Sequence, residues 1–476
     1  MIDIRDAHWR YAAAAEPALC GFSLAVEPGE VVLLCGSSGS GKSTALRLLN
    51  GLIPHFHDGE LQGTIRVAGL PVPDTPLEEL GRRTGSVLQH PRRQFFTGAV
   101  AAELAFALEN LGTEPAVIRR EVELSAAGYA LLPLLERPLA ALSGGEQQRV
   151  ACAAAVTHRP GLVLFDEPTS NLSADAIDHF VAGVRRLRAS GVTVVIAEHR
   201  LHPLRDVVDR VVVLRDGRVE ASWTAGEFRG LDDESLAAAG LRGDPLPVPE
   251  PRPAPPDHDH GLSLADVRCT VRKRTVLALD RAFFPAGAVT AVRGPNGAGK
   301  TTLARVITGL QRHRGVVRLN GRPLSAARRQ RSSALVMQDV QRQLFTDRVA
   351  SELTLGGPAA DRERVTGLLA ELDLLAVRDR HPLALSGGQQ QRVAIAAARL
   401  SGKPVVVFDE PSSGVDRRHL ASITRVIREV ADAGAVVVVI SHDEALLGPV
   451  ADHALELVPP NSESPHEQER DQAWAR

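Results

Sequence analysis

The stretch GSSGSGKST at residues 36–44 recurs as GPNGAGKTT at residues 294–302. Each copy is followed, in the same order, by LSGG(E/Q)QQRVA and then by FDEP. Three separated motifs repeated in register mark an internal duplication. Lys42 and Lys300 lie 258 residues apart, whereas Ser143 and Ser386, Asp166 and Asp409, and His199 and His442 each lie 243 apart. The second copy is therefore 15 residues shorter before its LSGG motif (258 − 243) and keeps the spacing of the first from there on.

The pattern G-x-x-x-x-G-K-[ST] carries its own chemistry. Glycines let backbone N–H groups wrap a chain of phosphates, and the helix that follows adds the positive end of its dipole. The expected ATP contacts are Gly36, Ser37, Gly39, Gly41, Lys42, Ser43 and Thr44 in the first half. In the second they are Gly294, Asn296, Gly297, Gly299, Lys300, Thr301 and Thr302. Lys42 and Lys300 are expected to neutralise phosphate charge, and Ser43 and Thr301 to ligate Mg2+. The basic residues are almost all Arg; the lysines are Lys42, Lys273, Lys300 and Lys403. A lysine kept at both loops against that bias points to chemistry.

Asp166 and Asp409 end the apolar runs LVLF and VVVF and are placed to hold Mg2+. Glu167 and Glu410 follow at once, and an acid beside a metal-bound triphosphate suits polarising the attacking water. Ser143, Gly144 and Gly145, like Ser386, Gly387 and Gly388, open a helix whose N-terminus is an anion-binding end.

At 476 residues the chain is too long for one core, and two domains are expected. A net charge of −2 offers no field for capturing nucleic acid or anionic lipid. The four cysteines show no C-x-x-C pair or metal spacing and read as reduced thiols. No run of about 18 apolar residues occurs, so any membrane role is expected to be peripheral. β-Rich runs alternate with helical segments, which argues for an α/β fold with a mostly parallel, helix-covered sheet in each half. The segments 97–142 and 346–385 read as helical insertions. The expected domains are residues 1–240 and 262–458, with a Pro-rich linker at 241–261 and a polar, disordered tail at 459–476. The linker, with seven prolines from Pro245 to Pro256, reads as an extended spacer reaching roughly 60 Å. Its DHDH tract (257–260) is weak as a metal site.

With these motifs in hand, both halves resemble the ATP-binding cassette (ABC) family. The resemblance implies two P-loop nucleotide-binding domains, each with an added antiparallel β part. It implies head-to-tail pairing, in which LSGG of one half closes on the γ-phosphate held by the other. It makes Gln89 and Gln338 the loop glutamines that relate γ-phosphate and Mg2+ to a membrane partner, and His199 and His442 the histidines that contact the γ-phosphate. Tyr11 takes the place of the aromatic that stacks on adenine; the 258-residue offset puts Cys269 there in the second half. The segments HPRRQFF (90–96) and DVQRQLF (339–345) resemble the Q-x-P-x-x-Q-(L/F)-F stretch of energy-coupling factor importer ATPases. That resemblance implies an ATPase peripheral to the cytoplasmic face of the membrane. Its partners would be a transmembrane coupling protein and a substrate-binding membrane subunit, for a vitamin, vitamin precursor or metal ion, with no nucleic acid partner. Phe95, Phe96, Leu344 and Phe345 would supply apolar docking contacts. In the second half Val340 replaces Pro91, which puts its docking geometry in doubt. Other readings are the tandem ATPase of a sugar-type importer and a soluble tandem cassette protein acting on ribosomes.

Two departures suggest unequal sites. The loop after FDEP reads Ser-Gly-Val-Asp416 in the second half but Ser-Asn-Leu-Ser173 in the first. The site built on Lys42 has Tyr11, Glu167 and His199 and would receive Ser386, Gly387, Gly388 and Asp416. The Lys300 site lacks the aromatic and would receive Ser173, unless Asp175 substitutes.

Overall fold

The computed structural model describes residues 1–476 apart from 13, 90, 92–93, 170–171, 173, 244–251, 254–259, 272–273, 356–361, 413–414 and 461–476. The chain divides into two compact units, residues 1–244 with 414–417, and residues 245–413 with 418–476.

In the first unit, Val- and Leu-rich runs form a six-stranded sheet. Its order is Arg218–Thr224, Arg210–Arg215, Val31–Gly36, Thr193–Ala197, Leu162–Asp166, Thr84–Val87. The last five run parallel and the edge hairpin is antiparallel. Val31–Gly36 and Thr193–Ala197 are buried at every position, as central strands covered on both faces must be. A four-stranded antiparallel sheet (Leu19–Val26, Ile2–Tyr11, Gly59–Val67, Leu70–Pro71) packs against one face through Trp9, Phe22, Ile65 and the helix residue Leu48. On the other face Gly144–Thr157 and Ala174–Ala189 pack through Ala151, Cys152, Phe180 and Val184. The helices Val100–Asn110 and Pro115–Gly128 gather on Gly144–Thr157 around Leu104, Ala126 and Val150. Each fully buried Leu or Phe contributes roughly 1.5–3 kcal/mol relative to exposure.

The second unit repeats this plan. Its central sheet is parallel throughout, in the order Arg252–Pro253, His453–Glu456, Val289–Arg293, Val436–Ile440, Val405–Asp409, Ser333–Val336. The antiparallel layer is Arg274–Pro285, Gly261–Val271, Arg314–Leu319, Arg322–Pro323. Val349–Thr354 and Arg362–Glu371 lie in the region read as its helical insertion. Both units are thus α/β with a mostly parallel main sheet, and strands end where the motifs begin.

The linker departs from the plain-spacer expectation. Leu241 is 3 % exposed and belongs to the first unit's core. Arg252 and Pro253 pair with His453 and Ala454 as an edge strand, where a missing N–H is tolerated. The rest of the proline run, Asp257 to Asp259 of the DHDH tract, and the tail from residue 461 lie outside the described residues, as does Ser173.

Candidate active sites

In each unit a central strand runs into the glycine loop and then a helix, Lys42–Leu49 or Lys300–Ile307. Gly36 has φ +144°, and a Cβ there would lie 2.2 Å from Leu214 O. Gly294 repeats the constraint, with φ +132° and 2.3 Å to Leu457 O. Only glycine fits either place. Lys42 is buried, and its Nζ donates to Gly36 O and Ser37 O at 2.9 Å each. Lys300 Nζ does the same with Gly294 O (2.6 Å) and Pro295 O (3.1 Å). Burial pushes both amines down, while Glu167 and Asp166 beside Lys42, and Glu410 and Asp409 beside Lys300, push back. A buried ammonium satisfied by loop carbonyls is pre-placed for an anion in the loop.

Ser43 Oγ donates to Asp166 Oδ1 at 3.0 Å. Burial, then the Glu167 charge, raises the Asp166 carboxyl to about 6 against the pull of Ser43, Arg47 and Lys42. Thr301 bonds Asp409, whose carboxyl burial also raises. A hydroxyl beside a carboxylate short of positive charge is a hard-oxygen donor set, and it fits Mg2+.

Glu167 and Glu410 adopt left-handed backbone, φ 48° and 51°, with their N–H groups on Ala197 O and Ile440 O at 2.8 Å each. Such strain in a non-glycine residue costs roughly 1–3 kcal/mol and is typical of active sites. The Glu167 carboxylate accepts from Gln89 Nε2 at 2.8 Å and lies 3.4 Å from His199 Nε2. Burial works to raise Glu167, but His199, Lys42 and Gln89 outweigh it and hold the carboxyl at about 2. His442 Nε2 lies 4.0 Å from Glu410 Oε1. Gln338 is exposed just past the strand Ser333–Val336. Residues 414–417 group with the first unit, where Asp416 Oδ2 accepts from Ser38 N (2.8 Å).

The LSGG serines are occupied locally. Ser143 caps the helix Gly144–Thr157 in a reciprocal box with Glu146, and Ser386 caps Gly387–Leu400 with Gln389. Each serine oxygen accepts in its box but its hydroxyl proton stays uncommitted there, so either terminus offers an anion backbone N–H groups, the dipole and a serine O–H. The two differ in charge: Glu146 puts a carboxylate in the first turn, and Gln389 a neutral amide.

Tyr11 ends the strand Ile2–Tyr11. Its hydroxyl accepts from Arg47 (2.9 Å) and lies 3.3 Å from Thr44 Oγ1. The expected counterpart Cys269 needs correction. Left-handed kinks at Asp6 and Asp266, in the corresponding strands Ile2–Tyr11 and Gly261–Val271, set a local offset of 260 (266 − 6). Cys269 then matches the buried Trp9, and Val271, 45 % exposed, matches Tyr11. The hairpin is two residues shorter in the second unit (260 − 258), so the motif offset fails there. The second unit still has no aromatic at that place.

The loop after each glutamine is built alike. Gln94 Oε1 accepts from Leu88 N (2.8 Å) and Gln343 Oε1 from Met337 N (2.7 Å). Buried Glu103 accepts from the N–H groups of Phe96 (3.1 Å) and Thr97 (2.9 Å) and from the Thr97 hydroxyl. Glu352 does the same for Phe345 and Thr346. Phe96 and Phe345 are 74 % and 76 % exposed. Phe95 is partly buried against the core and Leu344 is buried, so the exposed apolar ring of each loop is Phe96 or Phe345. Val340, in place of Pro91, opens the short 3-10 turn Val340–Gln343. Sequence reading missed Glu103 and Glu352; the signal was an acid at matching places (352 − 103 = 249 = 338 − 89) on the apolar face of a helix.

Fold and sites together define a tandem P-loop nucleotide-binding protein. The ABC transporter family model matches residues 19–170 and again 271–413. The chain belongs to that family, as a tandem ABC ATPase that binds and hydrolyses ATP. It is 36 % identical over 465 residues to a protein of Treponema denticola provisionally named an ABC transporter ATP-binding protein, covering 96 % of this chain and 95 % of that one. A Streptomyces avermitilis protein with the same provisional name is 34 % identical over 512 residues, covering 95 % and 91 %. Among solved structures, a chain in a model of ribosome-bound archaeal Pelota and ABCE1 matches with a TM-score of 0.69 at 23 % identity, covering 95 % of this chain and 76 % of that chain. That last likeness is one of fold. Among the described residues no helix is long and apolar enough to cross a membrane.

Proposed function

We propose that this tandem ATPase energises a membrane importer of the energy-coupling factor type, for a vitamin, vitamin precursor or metal ion. The observation that carries the reading is the paired loop at 89–97 and 338–346. In each, a second glutamine and a buried glutamate spend their hydrogen bonds holding the backbone, and the result is one exposed phenylalanine beside the site glutamine. Exposing a large apolar ring on a locked loop is costly unless something covers it. In the first unit a cleft of about 310 Å3, lined by Ser43, Phe56, Leu88, Gln89 and Asp166, opens beside that loop. A cytoplasmic segment of a transmembrane coupling protein fits such a surface, with a substrate-binding membrane subunit beyond it. The chain would then sit at the cytoplasmic face of the membrane.

The chemistry follows from the side chains. Lys42 would exchange the Gly36 and Ser37 carbonyls for phosphate oxygens. Ser43, Asp166 and Gln89, with Thr301, Asp409 and Gln338 in the second unit, would hold Mg2+, which supplies charge neutralisation at the phosphates. Glu167, kept ionised, would take a proton from the attacking water, while Gln89 and His199 fix its orientation. The halves would pair head to tail, each LSGG helix end meeting the other half's nucleotide. The Lys42 site would be the stronger. It has Tyr11 and would receive the neutral Gln389 helix end and Asp416, whereas the Lys300 site would receive the Glu146 end.

The test is recovery of the tagged full chain from detergent-solubilised membranes of its own host, beside the Phe96→Arg, Phe345→Arg double variant. The expected result is an integral membrane protein retained by the wild type and lost by the variant. Co-sedimentation with ribosomes, unaffected by the two substitutions, would overturn the reading.

A further inference from the structure

The residue just before each site histidine differs between the units: Glu198 in the first and Ser441 in the second (441 − 198 = 243). Glu198 is 1 % exposed, directly after the strand Thr193–Ala197. Its Oε1 accepts from Thr169 N at 3.0 Å and from the Thr169 hydroxyl. Its Oε2 accepts from His199 N at 2.6 Å and Arg200 N at 3.4 Å. One carboxylate thus bridges the turn that follows Glu167 and the turn that carries His199.

Serine is too short to make that bridge. Ser412, the counterpart of Thr169 (412 − 169 = 243), is buried, and its hydroxyl has no partner among the described residues. Ser441 Oγ turns elsewhere. It accepts from Asp443 N at 3.1 Å and donates to Glu410 Oε2 at 3.0 Å.

We propose that this position is a positioning residue in both units, wired differently in each. Glu198 holds His199 against Glu167 by clamping the backbone of two turns, and Ser441 holds the Glu410 carboxylate itself. The first wiring accompanies a Glu–His separation of 3.4 Å, the second one of 4.0 Å. The two sites therefore depend on different atoms for the same task. Replacing the residue in one unit removes a clamp on the histidine, and in the other a contact to the base.

This inference rests on ATP hydrolysis by the chain and not on the importer reading. Turnover by the unmodified full-length chain tests that premise first, and its absence would sink the ATPase reading and this one together. Given turnover, Ser441→Ala is expected to lower kcat about 3- to 10-fold, the worth of one hydrogen bond, with KM for ATP unchanged. Ser441→Thr, which keeps the hydroxyl, should restore it. In the first unit Glu198→Ala and Thr169→Val should each lower kcat, and the double variant should lose no more than the worse single one, because both act on one bridge. Wild-type turnover in Ser441→Ala, equal losses in the Ala and Thr variants, or a fall explained by KM would overturn the role of Ser441. Full additivity of Glu198→Ala and Thr169→Val would overturn the bridge.

Discussion

Gln89 Nε2 donates to Glu167 Oε2 across 2.8 Å, joining the loop that follows Thr84–Val87 to the acid that follows Leu162–Asp166. The two strands are neighbours in the sheet, so a single bond spans the gap between their ends. Its acceptor is charged, which makes it one of the stronger kind. Leu88, one residue earlier, is held by Gln94 in the loop that presents Phe96. Any shift of that loop has a short path to the candidate base.

Replacing Gln89 with Ala should therefore disturb chemistry more than binding. The expected loss is about 10- to 100-fold in kcat, with little change in nucleotide affinity. Steady-state ATP hydrolysis and titration of a fluorescent ATP analogue, run on the same preparation, separate the two.

The register of the first strands makes a matched pair of predictions. Tyr11→Ala, in a Lys300→Ala chain, should weaken binding of the analogue by about 1–3 kcal/mol, the value of an aromatic under a base. Val271→Tyr, in a Lys42→Ala chain, should strengthen it. A second site indifferent to Val271→Tyr would contradict the structural match of that residue with Tyr11.

The lysines test inequality directly. Lys42→Ala and Lys300→Ala each remove the cation of one phosphate loop, and the first should cost turnover by about 100-fold and the second less. Equal losses in turnover and affinity would end the case for unequal sites.

Asp166 links site chemistry to stability. Its carboxyl titrates at about 6 in the folded chain and at 3.8 when unperturbed. Between those values the folded chain keeps a proton that the unfolded chain has lost, so the Asp166 contribution to stability falls as pH rises from 4 to 6. Without metal or nucleotide, Asp166→Asn should be more stable than wild type at pH 8, by about 3 kcal/mol, and nearly equal to it at pH 4. Glu167 acts oppositely, its contribution being lost as pH falls from 4.5 toward about 2; it enters only at the pH 4 end, where both chains carry it. Urea unfolding in a chelator, followed by tryptophan fluorescence, reads this unit, because Trp9 and Trp223 lie in it and the remaining tryptophan, Trp474, lies in the tail.

Much of the site was legible from spacing. Phosphate loops, paired acids and helix starts are local, because a few consecutive residues set both conformation and chemistry, and the duplication repeats them. The docking loop was half legible. Its residues were visible, but Phe95 and Phe96 differ only in direction, and direction is set by Glu103 reaching back from the next helix. Cys269 was mismatched because a hairpin two residues shorter breaks an offset that holds from the next strand onward.

The amino-acid order alone determined that this chain has two ABC ATPase halves, each with a loop lysine, the hydroxyl that follows it and paired acids, since those motifs need only neighbours in sequence. Tertiary structure decided which groups act on one another: Gln89 on Glu167, Glu198 on the turns at Thr169 and His199, Ser441 on Glu410. Except for His199, which adjoins Glu198, those partners stand 29 to 78 residues apart and meet only because parallel strands bring their carboxyl ends to one edge of the sheet.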